Sequence, residues 1–283
     1  MRSTEECVDC QLTLNLRRNC RPVCRLLFSV CAFVYLTPSS LVGQIQDNSF
    51  LLEEAYNQER GVVQHIGTFQ RASGGDWQFG FTQEWPLGGI RHQLSYGIPL
   101  QSADGTGIGD IALNYRYQLA GNPEARTVMA PRMTLLLPTG DEKRGRGAGG
   151  LGFQGNFPLT MVLSPNLVFH GNAGITVTPA ATDLLGAKAT TVNRNVGASA
   201  IWLLKPSFNL LVELLWLSEE SVAGEGTTRR EETTLLNPGI RMAIDLANDL
   251  QIVPGLAYTF GLGSAADEDA VFVYLSFEHY FQR

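Results

Sequence analysis

The chain is organised by alternation. In Ile111-Ala-Leu-Asn-Tyr-Arg-Tyr-Gln-Leu119, the residues Ile111, Leu113, Tyr115, Tyr117 and Leu119 share one face, and Ala112, Asn114, Arg116 and Gln118 share the other. A period of two is the mark of a strand held between an apolar and a polar medium. The pattern recurs in about twelve segments, near 62–71, 77–85, 90–100, 110–119, 127–138, 151–163, 167–178, 191–204, 208–218, 233–246, 250–261 and 270–281. Many of them approach the roughly 9–11 residues that a tilted membrane strand needs.

The connections sharpen this reading. Short turns at 86–89, 164–166, 205–207 and 247–249, with an intermediate link at 120–125, alternate with longer polar connections at 101–109, 139–150, 179–190, 219–232 and 262–269. Short turns on one side and longer loops on the other belong to an up-and-down barrel in a bacterial outer membrane. The expected fold is therefore all-β: a transmembrane antiparallel β-barrel of about twelve strands. Closure is the physical reason, because in lipid every backbone N–H and C=O must find a partner within the protein. The apolar faces would meet outer-membrane lipids, with Trp77, Trp85, Tyr115, Tyr117, Trp202, Trp216 and Tyr258 as candidates for the interfacial girdles. An even strand number leaves both ends in the periplasm. The last strand carries a near-terminal aromatic, Phe281, the kind of signal by which barrel-assembly machinery engages its clients.

The first residues differ in kind. All five cysteines, Cys7, Cys10, Cys20, Cys24 and Cys31, precede residue 32. Their spacing alone would allow a zinc knuckle. Their surroundings point elsewhere: Arg17, Arg18, Arg21 and Arg25 precede the apolar run 26–36, and small residues follow. Basic, apolar, then small is the order of a secretory signal peptide, and the apolar run is too short to span a bilayer as a helix. We therefore expect a signal peptide over 1–43, an N-terminal segment over 44–61 and the barrel over 62–283. In the segment, Phe50, Leu51, Ala55 and Tyr56 could share one side of a short helix; it would be a periplasmic tail or a plug within the lumen.

Composition narrows the possible partners. The whole chain carries a net charge of −6, so no basic excess suggests nucleic acid, and charged residues make up only 17%. The glycine-rich run 135–150 follows an apolar stretch, where a phosphate-binding loop would lie. It offers Gly140, Gly145, Arg146 and Gly147, but lacks the lysine and hydroxyl of that motif, and a strand pattern follows instead of a helix. It reads as a loop at the outer rim, with Asp141, Glu142, Lys143, Arg144 and Arg146 in water.

Candidate chemistry lies on the inward register. Glu84, Arg116, Arg132, Glu213, Arg241 and Asp245 fall on the polar faces of their strands, and ionisable groups at membrane depth are functional candidates by default. They would line a solute path or form a lattice that braces the wall. Leu136, Leu211 and Leu215 share that register, so the lining is mixed. His170 also points inward, near Asn172; a hydrolase would further need an activated serine, and Ser199, inward on another strand, carries no sign of activation. No enzyme activity is expected, no spacing fits a metal, and no cofactor is implied.

Gly107-Ile-Gly-Asp110 with the strand after it, and Leu137-Pro-Thr-Gly-Asp141 with its glycine-rich continuation, resemble the outer-membrane barrel family labelled as phenol meta-pathway degradation proteins. The stretch 50–66 is also similar to the N-terminal segment of members described as transporters. The resemblance covers most of the chain after residue 43. It implies passage of small, often hydrophobic compounds across the outer membrane. The expected function is a channel for passive or ligand-gated passage of small hydrophobic or aromatic solutes; the alternative is a non-conducting structural or surface-interaction barrel.

Overall fold

The computed structural model describes residues 48–122, 124–246, 250–266 and 268–280. The expected signal peptide, the turn 247–249 and Phe281 lie outside the described residues. Twelve antiparallel strands form one closed barrel. In chain order they are β1 (Val62–Ala72), β2 (Trp77–Pro86), β3 (His92–Ser102), β4 (Thr106–Ile108 with Ile111–Tyr117), β5 (Thr127–Met129 with Arg132–Leu137) and β6 (Gly152–Asn156 with Leu159–Ser164). There follow β7 (Leu167–Thr182), β8 (Lys188–Lys205), β9 (Phe208–Gly224), β10 (Thr227–Met242 with Ile244–Asp245), β11 (Gln251–Leu262) and β12 (Ala270–Tyr280). Each strand pairs with its neighbours in sequence. β12 closes on β1 from Val62 opposite Tyr280 to Ala72 opposite Ala270.

Burial shows which medium each face meets. Along β9, Leu210, Val212 and Leu214 are 38%, 42% and 48% exposed, while Leu211, Glu213 and Leu215 are 4%, 0% and 8% exposed. A water-soluble protein would reverse the order and bury the leucines that point outward. Here the exterior is apolar, with Met133, Phe153, Ile175, Trp202 and Leu275 exposed on it, and the charge is inside. Aromatic rings cluster on the outer face near both strand ends. Trp85 meets Tyr96 at 6.0 Å and His92 meets Tyr115 at 6.0 Å towards one end, and Phe69 meets Trp77 at 6.1 Å towards the other. His65 joins the first group, stacked on Phe277 at 4.6 Å and His279 at 5.1 Å.

Three expected loops are sheet instead. The stretches 101–109, 179–190 and 219–232 are hairpins whose strands run on past the apolar register; β9 and β10 remain paired to Gly224 opposite Thr227. Outside the bilayer both faces of a strand are wet, so Thr228-Arg-Arg-Glu-Glu-Thr233 carries no apolar alternation although its backbone ladder continues. On that side 138–151 is a long irregular connection, and the described part of 263–269 holds only a 3-10 turn. We call this the hairpin end, and the opposite end, with the turns at 165–166 and 206–207 and the start of β1, the turn end.

Among the described residues there is no α-helix, only two 3-10 turns. The short helix expected around Phe50 is absent; 48–61 is irregular and runs inside the barrel. The reason lies in its backbone partners, which are side chains of the barrel wall and not its own carbonyls.

Candidate functional site

The segment 48–61 forms an arch within the lumen. One foot stands by β10, where the Arg241 guanidinium donates to the Asn48 carbonyl. The other stands at the turn between β2 and β3, where the Asn57 side chain donates to the Ile90 carbonyl at 2.9 Å. Between them most of the backbone amides meet inward side chains, as burial favours. The amides of Phe50, Leu51 and Leu52 all donate to one oxygen of Glu213, at 3.0, 2.9 and 3.2 Å. The other Glu213 oxygen accepts from Asn237 at 2.7 Å. The amide of Glu53 donates to Asn172, that of Ala55 to Thr160, and that of Gln58 to Gln93. Gln118 returns a bond to the Ala55 carbonyl at 3.0 Å.

Apolar contacts complete the fit. The Phe50 ring lies 5.5 Å from Phe272 and 5.2 Å from Tyr274, with Ile201, Leu211, Val253 and Ala257 in the same buried cluster. Two glycines make room for it. A Cβ at Gly255 would come within 2.5 Å of the ring, and one at Gly239 within 2.8 Å.

The arch's acidic residue is the electrostatic centre. One oxygen of Glu53 accepts from Arg116 at 3.0 Å; the other meets Arg132 at 2.8 Å and the Asn156 amide at 2.7 Å. Arg116 also donates to the Tyr56 carbonyl at 2.8 Å and lies 3.7 Å from Glu54. Burial works against charge on Glu53, but Arg132, Arg116 and Asn156 outweigh it and hold its carboxyl below the ordinary range.

The structure thus gathers most of the sequence candidates around one object. Glu213, Arg116, Arg132 and Arg241 all grip the arch. Glu84 is buried one step away and accepts from Gln93, which itself holds Gln58. His170 is fully buried, its Nδ1 2.7 Å from the Thr160 hydroxyl that receives the Ala55 amide. Ser199 stands directly across from His170 in the β7–β8 ladder, but its hydroxyl bonds Ser49 at 2.6 Å. Asp245 does not join the group. The strand is interrupted at Ala243, and Asp245 lies exposed at the turn end, accepting from Gln251 at 2.8 Å. Among the described residues, no cluster of His, Cys, Asp and Glu could hold a metal ion.

Glu53, Asn156, Asn172 and Gln118 were not singled out as site residues from sequence. On the inward register read from sequence the charges balance, Arg116, Arg132 and Arg241 against Glu84, Glu213 and Asp245, so no unmatched cation pointed to Glu53. Arg146 also departs from expectation. It is buried at the rim, not solvated, and donates to the carbonyls of Ala103 and Asp104 at 3.2 and 3.3 Å. Asp110 accepts from the amides of Gly140 and Ala148 at 3.0 and 2.7 Å, so the glycine-rich loop closes on the Gly-Ile-Gly-Asp turn. A Cβ at Gly147 would strike that carboxylate at 2.3 Å, which accounts for a glycine there.

Above the arch, towards the hairpin end, a cavity of about 390 Å³ remains. Leu51 and Glu53 contribute to its lining, with side-chain amides such as Gln154, Asn172 and Asn195 and leucines such as Leu136 and Leu217.

Fold and site together define a transmembrane β-barrel whose lumen holds its own N-terminal segment. The chain belongs to the family described as "Putative MetA-pathway of phenol degradation", whose pattern it matches over residues 44–259. No curated protein matches it in sequence. Among solved structures it is similar to an outer-membrane channel from Pseudomonas putida F1, with 14% identity and a TM-score of 0.59, covering 82% of this chain and 100% of that one. It is also similar to the NanC porin, with 9% identity and a TM-score of 0.52, covering 78% and 100%. At such identities the likeness is one of fold.

Proposed function

We propose that the protein is an outer-membrane channel for small organic solutes, closed in this state by its own arch. One observation carries the reading: a lipid-facing barrel with a charged and amide-lined lumen holds within it a segment joined to the wall by side-chain bonds rather than by strand pairing. A purely structural barrel would fill its lumen with wall residues, as small barrels do. The hairpin end then faces the exterior and the turn end the periplasm. Passage is diffusive, and the mixed lining of amides and leucines suits amphipathic solutes with an apolar body. The family description, which concerns phenol degradation, supports aromatic compounds among them. His170 and Ser199 are parts of the arch's bed, and the reading assigns them no catalysis.

The second reading, a non-conducting structural barrel, draws on how completely Ala55 and Leu52 are buried. Single-channel recording separates the two. Deleting residues 48–61 should turn a mostly closed barrel into one with long, large openings. A deletion variant that keeps its heat-shifted band on a gel yet conducts no better than bare lipid would overturn the channel.

A further inference from the structure

The carboxylate of Glu53 occupies a built site. Arg116 and Arg132 approach its two oxygens from different strands, and the Asn156 amide supplies a third donor. Arg116 is 4% exposed, and Asn156 is 5% exposed. This is the geometry in which proteins recognise a free carboxylate, with charge-assisted bonds to both oxygens. The site borders the cavity at the hairpin end, and Leu51, Leu136, Leu215 and Leu217 line that cavity. Donors for an acid group therefore adjoin a mixed cavity in which those leucines, standing among amides, Arg194 and Glu219, can meet a solute's body, and the cavity's volume falls within the range of small-molecule pockets.

We propose that Glu53 is an internal stand-in for a solute, and that a small monocarboxylate with an aliphatic or aromatic body competes for Arg132, Arg116 and Asn156 and so frees the arch. The inference rests on the channel reading and adds to it a solute class and a trigger. Glu53 is held where it is because the arch is covalently tethered, which gives it a high effective concentration; a solute wins only when abundant outside. Its binding to the displaced state alone shifts the closed–open balance, as differential affinity requires. A neutral solute of the same shape lacks the carboxylate and leaves Glu53 in place.

The test is single-channel recording of the full-length protein, with sodium benzoate, benzyl alcohol or matched sodium chloride added on the hairpin side. Benzoate should raise the open probability saturably; benzyl alcohol and chloride should not. Glu53→Gln should open more often without solute and respond to benzoate at a concentration lower by about tenfold, while Arg132→Gln should need about tenfold more. Heat-shifted mobility checks that each variant is folded, and the wild-type comparison needs no variant. If benzoate and benzyl alcohol act alike on the wild type while the 48–61 deletion conducts, the trigger is wrong and the channel stands. If the deletion does not conduct either, both readings fall.

Discussion

The fit of Phe50 into the wall permits a quantitative test of the arch. Replacing Phe50 by alanine removes a ring packed on Phe272 and Tyr274 and seated over Gly255 and Gly239. In packed cores Phe→Ala costs about 3–5 kcal/mol. A lumen can admit water to the vacated space, so the lower end applies, and ~3 kcal/mol shifts the ratio of seated to released arch by roughly a hundredfold. The open probability in planar bilayers should rise by about that factor while the barrel's heat-shifted band persists, because the strand ladder is untouched. Gly255→Ala supplies the control. Its Cβ would lie 2.5 Å from the Phe50 ring, so in the wild type it should loosen the arch, with overpacking of about 1–3 kcal/mol. With Phe50 already alanine, the clash is gone and the same substitution should be nearly silent. The coupling between the two, read from a double-mutant cycle, is the signature of direct contact. Equal effects of Gly255→Ala in both backgrounds, or an unchanged open probability in Phe50→Ala, would refute the seating of this ring and its part in closure.

Other expectations follow from charge, the rim and the lipid face. Glu53 belongs to the arch, and its carboxyl is held below the 4.5 of a free glutamate. A depressed value means its grip is complete above 4.5 and is lost as pH falls through the lower folded value, so open probability should stay flat from neutral pH down to that point and climb below it; a climb already complete at neutral pH would contradict the assignment. Asp110→Ala leaves the amides of Gly140 and Ala148 without their acceptor, and at this half-exposed site a loss of about 2 kcal/mol should speed tryptic cleavage after Lys143 or Arg144 by roughly thirtyfold. Unchanged cleavage would show that the loop is held by something else. On the exterior, Leu214→Arg places a charge against acyl chains and should cost about 2–4 kcal/mol of folding free energy in vesicles. An undiminished folding yield under increasing urea would contradict the lipid-facing register.

The barrel was legible because its physics is local. Each strand between lipid and lumen must alternate, so residues such as Leu210, Val212 and Leu214 against Leu211, Glu213 and Leu215 declare their faces without reference to any other strand. Inward charge at Glu84, Arg116, Arg132, Glu213 and Arg241 followed from the same register; all but the partly exposed Arg132 are buried. The alternation faded where the medium stopped imposing a contrast. Beyond the bilayer both faces of β9 and β10 are wet, and their paired extensions read as loops. At Ala243 a break in the strand ended the phase relation, and Asp245, assigned to the lumen by counting, lies outside the cluster.

What the sequence by itself determined is the class of the molecule: closed, antiparallel, apolar outside and charged within, because one chain position after another had to satisfy one of two media. What only the tertiary structure decided is the use of the interior. The segment 48–61 carries no periodicity of its own, since its backbone is satisfied by Glu213, Asn172, Thr160 and Gln118, residues up to 163 positions away in sequence. No local pattern can record such pairings. That Arg116, Arg132 and Asn156 meet at the Glu53 carboxylate of the arch follows only when the strands stand in a ring and place them around one point.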